Sequence, residues 1–150
     1  MRGDRLRSLD MAFTLQLDAP AANALLRRAF PGRDEAYFPQ VTLVEPGRAH
    51  VVLPYHEGML RPGQLLSGPT QMGHADTAAY VLVLAHIGDQ LMAVTSSLVM
   101  NFLRGAKPGE LHAEAELLRL GRRNAVCDVR LWTESADHLA AQATVTYAIP

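Results

Sequence analysis

Apolar residues recur at helical spacing between Asp18 and Phe30, where Ala22, Leu25, Leu26 and Ala29 form one stripe. Asp18 suits the N-cap, Pro20 stands in the first turn and Pro31-Gly32 closes the segment, so a helix is predicted there. Gln40 to Val44 and Ala49 to Leu53 read as short strands around Glu45-Pro46-Gly47-Arg48, and Pro54 to Gln64 reads as a loop. Ser67 to His86 has another character. Met72, Ala75, Ala78, Ala79, Val81, Leu82, Val83 and Leu84 make it apolar on nearly all faces, which predicts a buried central helix between a Ser67 cap and Gly88. Long strands follow over Met92 to Leu103, Glu110 to Leu120, Ala125 to Glu134 and Leu139 to Ile149. The turn-like stretches Gly121 to Asn124 and Ser135 to His138 predict that these four strands run as an antiparallel meander. The pattern as a whole is α+β: one long helix covered by an antiparallel sheet.

Composition narrows the class. A chain of 150 residues can fold on a single hydrophobic core. With 49% hydrophobic and 19% charged residues it has a globular composition rather than a disordered one. A net charge of −1 argues against bulk electrostatic binding to nucleic acid or anionic membrane. The single cysteine, Cys127, excludes an intrachain disulfide framework and a multi-cysteine zinc site, and favours a reducing compartment. Met1 to Asp10 lacks the apolar run of a signal peptide, and Ala78 to Ala85 falls far short of the ~20 residues that cross a bilayer. The expectation is a cytoplasmic protein without metal or cofactor.

Asp76 carries the chemistry of most interest, because a carboxylate inside an apolar helix must be hydrogen-bonded, shifted in pKa or set in a wet site. A structural carboxylate and a catalytic one are both open on pattern alone. Ser67-Gly68-Pro69 is the second feature. N–H groups at a helix start polarise a carbonyl or bind an anion, although the same residues also make a plain N-cap turn. Ser67 and Asp76 are about 13 Å apart along one helix, so a two-fold dimer would be needed to bring both to one atom. His50, His56, His74, His86, His112 and His138 show no metal-ligand spacing and are mostly expected at the surface or in loops, with His86 placed to complement the helix dipole. Cys127 is expected in the core, and no serine-hydrolase elbow or phosphate-binding glycine loop is present. Arg104, Lys107, Arg122 and Arg123 fall at strand ends and turns and, if clustered, suit a phosphate-bearing ligand.

Two runs bring a family into view. Arg61 to Tyr80, with Ser-Gly-Pro-Thr-Gln-Met-Gly-His-Ala-Asp at its centre, and Ala93 to Glu110, with Asn101-Phe-Leu-Arg104 and Pro108-Gly109, resemble the hotdog-fold acyl-CoA thioesterases of the phenylacetic acid degradation type. The resemblance spans about residues 40 to 149, with residues 1–35 as an N-terminal extension containing a helix and 36–150 as the hotdog domain. It implies a long helix wrapped by an antiparallel sheet, assembled as a homodimer or a dimer of dimers, with active sites at the dimer interface. It implies that Asp76 is the nucleophile or the general base for water, and that the Gly68 N–H of the opposite subunit polarises the thioester carbonyl. Thr95, or Ser96 as second choice, would orient the water. Ser67, Arg61, Asn101, Arg104, Lys107 and Arg122 are the implied substrate contacts, the last three near the CoA phosphates. Two departures stand out: the family's His-Gly-Gly is Ser67-Gly68-Pro69 here, and Arg61 stands near the place of an asparagine.

Two other readings compete with hydrolysis of an acyl-CoA. One is a hotdog dehydratase or hydratase, for which His56 is the nearest upstream histidine. The other is a non-catalytic acyl-thioester binding domain, motivated by the two departures and opposed by the retained Asp76.

Overall fold

The computed structural model describes residues 13–150. The expectation about a signal peptide, at Met1 to Asp10, lies outside the described residues. Helix α1, Ala19–Ala29, starts where Asp18 accepts a hydrogen bond from the Ala21 N–H, and it ends at Phe30. Strands β1 (Gln40–Glu45) and β2 (Arg48–Leu53) form a hairpin. The stretch expected to be a loop holds a single 3-10 turn at Glu57–Met59 and a minimal hairpin of β3 (Leu60–Arg61) with β4 (Leu65–Leu66). Helix α2 then runs over Gly68–Ile87 and stops at Gly88, whose φ of 82° lies in the left-handed region that glycine adopts without strain. Strands β5 (Val94–Phe102), β6 (Leu111–Leu120), β7 (Asn124–Trp132) and β8 (Ala141–Ala148) complete the chain.

The six-stranded antiparallel sheet has the order β1-β2-β6-β7-β8-β5. The expected four-strand meander is therefore corrected at one strand: β6, β7 and β8 follow one another, but β5 pairs with β8 instead of β6. The physical reason is in the connections. Short turns join β6 to β7, whereas Leu103 to Glu110 is a longer link with Gly105, Pro108 and Gly109, long enough to cross from one edge of the sheet to its interior. The edge of β6 is taken by β2, from Arg48↔Glu116 to Leu53↔Leu111.

Alternation sets the core. In β8 the residues Ala141, Ala143, Val145 and Tyr147 point inward, and in β7 Ala125, Cys127, Val129 and Leu131 do so. These small and medium side chains let α2 lie close on the concave face, with Ala75, Ala78, Ala79, Leu82 and Ala85 against them. This is the hotdog arrangement, and the α+β expectation holds. Helix α1 joins the same core through Ala22, Leu25 and Leu26. Asn23 locks it to β1 by exchanging hydrogen bonds of 2.9 Å with the Val41 backbone. Arg27 forks onto Glu35 at 2.6 and 2.9 Å, and Arg28 pairs with Asp89 just beyond α2. Among the described residues, no helix is long and apolar enough to cross a membrane.

Candidate active site

Asp76 is half-buried rather than sealed in the core, which corrects the reading of α2 as apolar all round. The apolar side of α2 meets the sheet, while the side carrying Pro69, Gly73, Asp76 and Thr77 lines a cavity of about 520 Å³. A second, smaller cavity of about 240 Å³ also touches Asp76 and Thr77, with Tyr80, Leu91 and Tyr147 among its walls.

Three elements hold the carboxylate. Thr95 Oγ1 on β5 donates to Asp76 Oδ1 at 2.5 Å, and the Tyr147 hydroxyl on β8 donates to the same oxygen at 2.7 Å. Thr95 and Tyr147 are register partners across the β5–β8 ladder, so the sheet itself brings the two hydroxyls together. The ladder is irregular between Thr95 and Ser97, and the extra residue, Ser96, turns its hydroxyl to the Thr146 carbonyl instead. Of Thr95 and Ser96, it is Thr95 whose hydroxyl reaches Asp76. Burial first, and then the adjacent Asp76 carboxylate, push the Tyr147 phenol far above its ordinary range, so it stays a donor. With Oδ1 engaged twice, Oδ2 is the carboxylate oxygen to which no described residue donates.

Sequence reasoning missed Tyr147. The available signal was its position, last in an inward-facing apolar stripe, because a buried phenol hydroxyl demands a partner.

Gly68 lies at the other end of the helix half, about 12 Å from Asp76. Ser67 caps the helix, accepting from the Thr70 N–H at 3.2 Å, and its carbonyl accepts from the Gln71 N–H. Pro69 has no N–H, which leaves the Gly68 N–H at the helix start. A Cβ on Gly68 would stand 3.4 Å from the Phe102 ring, an ordinary van der Waals contact, so the Phe102 ring lies beside the helix start. Arg61, Gly68, Phe102 and Arg104 line one cavity of about 490 Å³. Within one protomer, then, Asp76 belongs with Thr95 and Gly68 belongs with Phe102, at opposite ends of β5.

The remaining candidates separate accordingly. Arg104 donates to His138 Nδ1 at 3.1 Å and, with Lys107, borders a further cavity of about 300 Å³. Lys107 also pairs with Glu134 at 3.5 Å. Arg122 and Arg123 lie in the β6–β7 turn, at the Thr95 end, so one protomer does not gather the four cations together. Asn101 faces the outer side of the sheet, where its amide donates to Gln142 at 3.0 Å. Tyr80 lines the smaller cavity, Leu84 is core, Met100 is partly buried against the core and Met72 is exposed.

Two histidine expectations are corrected. His86 is buried and neutral: it accepts from the Gly47 N–H at 2.9 Å on Nε2 and donates through Nδ1 to the Leu82 carbonyl at 2.8 Å. Burial lowers its pKa, so it ties the β1–β2 turn to α2 rather than offering a cation to the helix end. His74 is buried as well, with Nε2 donating to the Val51 carbonyl at 3.0 Å and Nδ1 without a partner among the described residues. His50 and His112 stack with Trp132 on the outer face of the sheet. No group of three metal-ligating side chains occurs among the described residues. Cys127 is core, its thiol pushed up to about 12 by burial.

Comparison with known proteins fits this architecture. The family model described as the thioesterase superfamily matches residues 63–146, more than half of the chain. A Saccharolobus solfataricus protein named "putative esterase" is 30% identical over 110 residues, 73% of this chain and 77% of that protein. A Silicibacter structure named "putative thioesterase" superposes with a TM-score of 0.83 at 34% identity, over 92% of this chain and 95% of that one. The phenylacetic acid degradation protein of Thermus thermophilus, solved as a mutant, is similar at a TM-score of 0.67 and 26% identity, over 77% of this chain and 96% of that one. On the family match, the helix-in-sheet fold and these relatives, the chain belongs to the thioesterase superfamily and is a hotdog-fold thioester hydrolase.

Proposed function

We propose that the protein hydrolyses an acyl-CoA thioester to the free acid and CoA, with Asp76 as the reacting carboxylate in a site completed by a second copy of the chain. The observation that carries this reading is the Asp76 carboxylate at the edge of a cavity, with Oδ1 held by Thr95 and Tyr147 and Oδ2 open. A carboxylate fixed in this way presents one oxygen in one direction, as a general base or a nucleophile requires.

The free edge of β5 supports the dimer. Val94, Val99, Phe102 and Leu103 are each more than half exposed, and an unpaired apolar edge strand is a template for a second copy. Two identical edges pair antiparallel about a dyad. With that dyad near Leu98 and Val99, the Phe102 end of one copy faces the Thr95 end of the other. Gly68 of one copy then approaches Asp76 of its mate, which one helix by itself forbids.

In this arrangement the Gly68 N–H, at a helix N-terminus, donates a hydrogen bond to the thioester carbonyl oxygen and stabilises the oxyanion as charge develops. Asp76 Oδ2 takes a proton from water while the water oxygen bonds to the carbonyl carbon; alternatively Oδ2 attacks that carbon itself, and water then hydrolyses the anhydride. In the first route the carbon–sulfur bond then breaks and the CoA sulfur takes the proton held on Asp76; in the second that bond breaks as the anhydride forms, and the CoA thiolate takes a proton from solvent. Arg61 and Arg104 flank Gly68, which supports an exit of the pantetheine arm toward them and on to Lys107, with the CoA phosphates among these cations. In the dimer Arg122 would come from the copy that supplies Asp76. A cytoplasmic setting suits an acyl-CoA substrate and a lone buried cysteine.

The test is thiol release from a series of acyl-CoA thioesters, wild type beside Asp76→Asn. Turnover that disappears in the variant, with fold and oligomeric state retained, supports the reading; equal turnover in both overturns the role of Asp76. Binding of acyl-CoA without turnover would favour a binding domain. One observation favours a hydratase: His56 lines the larger cavity together with Asp76. Water addition to an enoyl-CoA that is lost in His56→Ala would support that second reading.

A further inference from the structure

The two cavities beside Asp76 share a wall. Phe30, Asp76 and Thr77 border both the 240 Å³ cavity and the 520 Å³ cavity. Asp76 and Thr77 belong to α2, whereas Phe30 comes from the N-terminal segment. Its backbone is held as the C-cap of α1, with its N–H on the Leu26 carbonyl at 3.1 Å and its carbonyl accepting from the Arg33 N–H at 3.3 Å. Its ring meets Tyr80 edge-on, centroids 6.2 Å apart, and is 46% exposed. Tyr80 is fixed in turn by its hydroxyl on the Leu91 carbonyl at 2.8 Å and by stacking on Tyr147 at 5.7 Å.

We infer that the smaller cavity seats the acyl group of the substrate, and that Phe30, supplied by the N-terminal helix, sets the length of acyl chain the enzyme accepts. The inference rests on the thioesterase reading above. Phe30, Tyr80, Leu91 and Val94 give it an apolar side, opposite the polar Asp76 and Thr95, so the cavity adjoins the carboxylate that the reading makes reactive. Size follows from volume: an apolar cavity of roughly 150 Å³ holds a benzene ring. A seat of about 240 Å³ therefore takes a compact acyl group, one ring on a short tether or a short chain, and stops a long chain at Phe30. Beyond the ring lies the larger cavity, walled in part by Leu53, Met59 and Tyr37. Shortening residue 30 joins the two spaces into one channel that a long chain can enter, and enlarging it narrows the seat.

The experiment measures kcat/KM for acyl-CoA thioesters from acetyl through dodecanoyl, with benzoyl included, for wild type, Phe30→Ala and Phe30→Trp. Wild type is expected to favour the compact groups. In Phe30→Ala the ratio of dodecanoyl to benzoyl turnover should rise at least about ten-fold, the scale of one or a few methylenes in an apolar pocket. In Phe30→Trp the ratio should fall, and the optimum should move to a smaller group. Each ratio is taken within one protein, so a loss of active fraction in a variant cancels. A wild type that already prefers dodecanoyl, or ratios that match wild type in both variants, would overturn the role of Phe30 while leaving the thioesterase reading intact. A wild type that releases thiol from none of these substrates would overturn both.

Discussion

The Tyr147 hydroxyl lies 2.7 Å from Asp76 Oδ1 and 3.2 Å from the Asp76 carbonyl oxygen, reaching from the last strand of the sheet to the middle of the central helix. It shares Oδ1 with Thr95, its partner across the β5–β8 ladder. The carboxylate is thereby held through Oδ1 by two hydroxyls, while no described residue donates to Oδ2.

Removing one of these donors tests the clamp. Tyr147→Phe keeps the ring that stacks on Tyr80 and deletes only the hydroxyl. A hydrogen bond to a charged group is worth about 1.5–3 kcal/mol, so kcat is expected to fall roughly ten- to a hundred-fold with KM little changed. Thr95→Val should behave alike, and Thr95→Ser should recover most of the rate. Steady-state kinetics that show unchanged kcat in both deletion variants would remove the clamp from the mechanism.

The Gly68 N–H, the proposed oxyanion donor, can be deleted at a position where a helix accepts proline. Ser67 has ψ 153°, the extended conformation required before a proline, and the first helical position tolerates proline well. Gly68→Pro therefore removes the N–H while leaving helix α2 in place, as circular dichroism should show. The expected loss in kcat is about a hundred- to a thousand-fold, the usual cost of one oxyanion-hole donor.

Shared sites predict complementation. Asp76→Asn and Gly68→Pro subunits are each expected to be inactive alone. A mixed dimer of the two holds one intact site and one doubly damaged site. Random mixing makes half of the dimers mixed, so about a quarter of wild-type activity should return on joint refolding or co-expression. A mixture as dead as its parts would mean that Asp76 and Gly68 do not meet across a dyad.

His74 makes stability depend on pH. Burial holds its pKa down, from the ordinary 6.5 to about 4. The unfolded chain takes up this proton below pH 6.5, whereas the folded chain does so only below about 4. Stability is therefore complete above pH 6.5, declines across this window and loses nothing further from this group at lower pH. The loss amounts to about 3 kcal/mol. Urea titrations of His74→Gln, which keeps a donor for the Val51 carbonyl, should show a correspondingly flatter profile between these limits. An identical slope in both proteins would mean that other groups carry the acid sensitivity.

The sequence by itself determined the elements and much of the chemistry. Asp18, Ser67 and Gly88 marked helix ends because caps are local hydrogen bonds and local dihedral preferences. Alternation in β7 and β8 marked the inward faces because a strand has period two. Asp76 stood out because a carboxylate among apolar residues needs a reason to be there. Tertiary structure decided the rest. That β5 lies on β8 depends on a crossing connection, which no local pattern encodes. His86 looked like a helix-end cation until the Gly47 N–H, from another hairpin, made it a buried acceptor. Tyr147 reaches Asp76 only through a strand register set far along the chain, and Phe30 becomes a cavity wall only because α1 docks on β1 and α2. Contacts of this kind form between segments whose local preferences are satisfied before they meet, so the information lies in the packing and not in either segment alone.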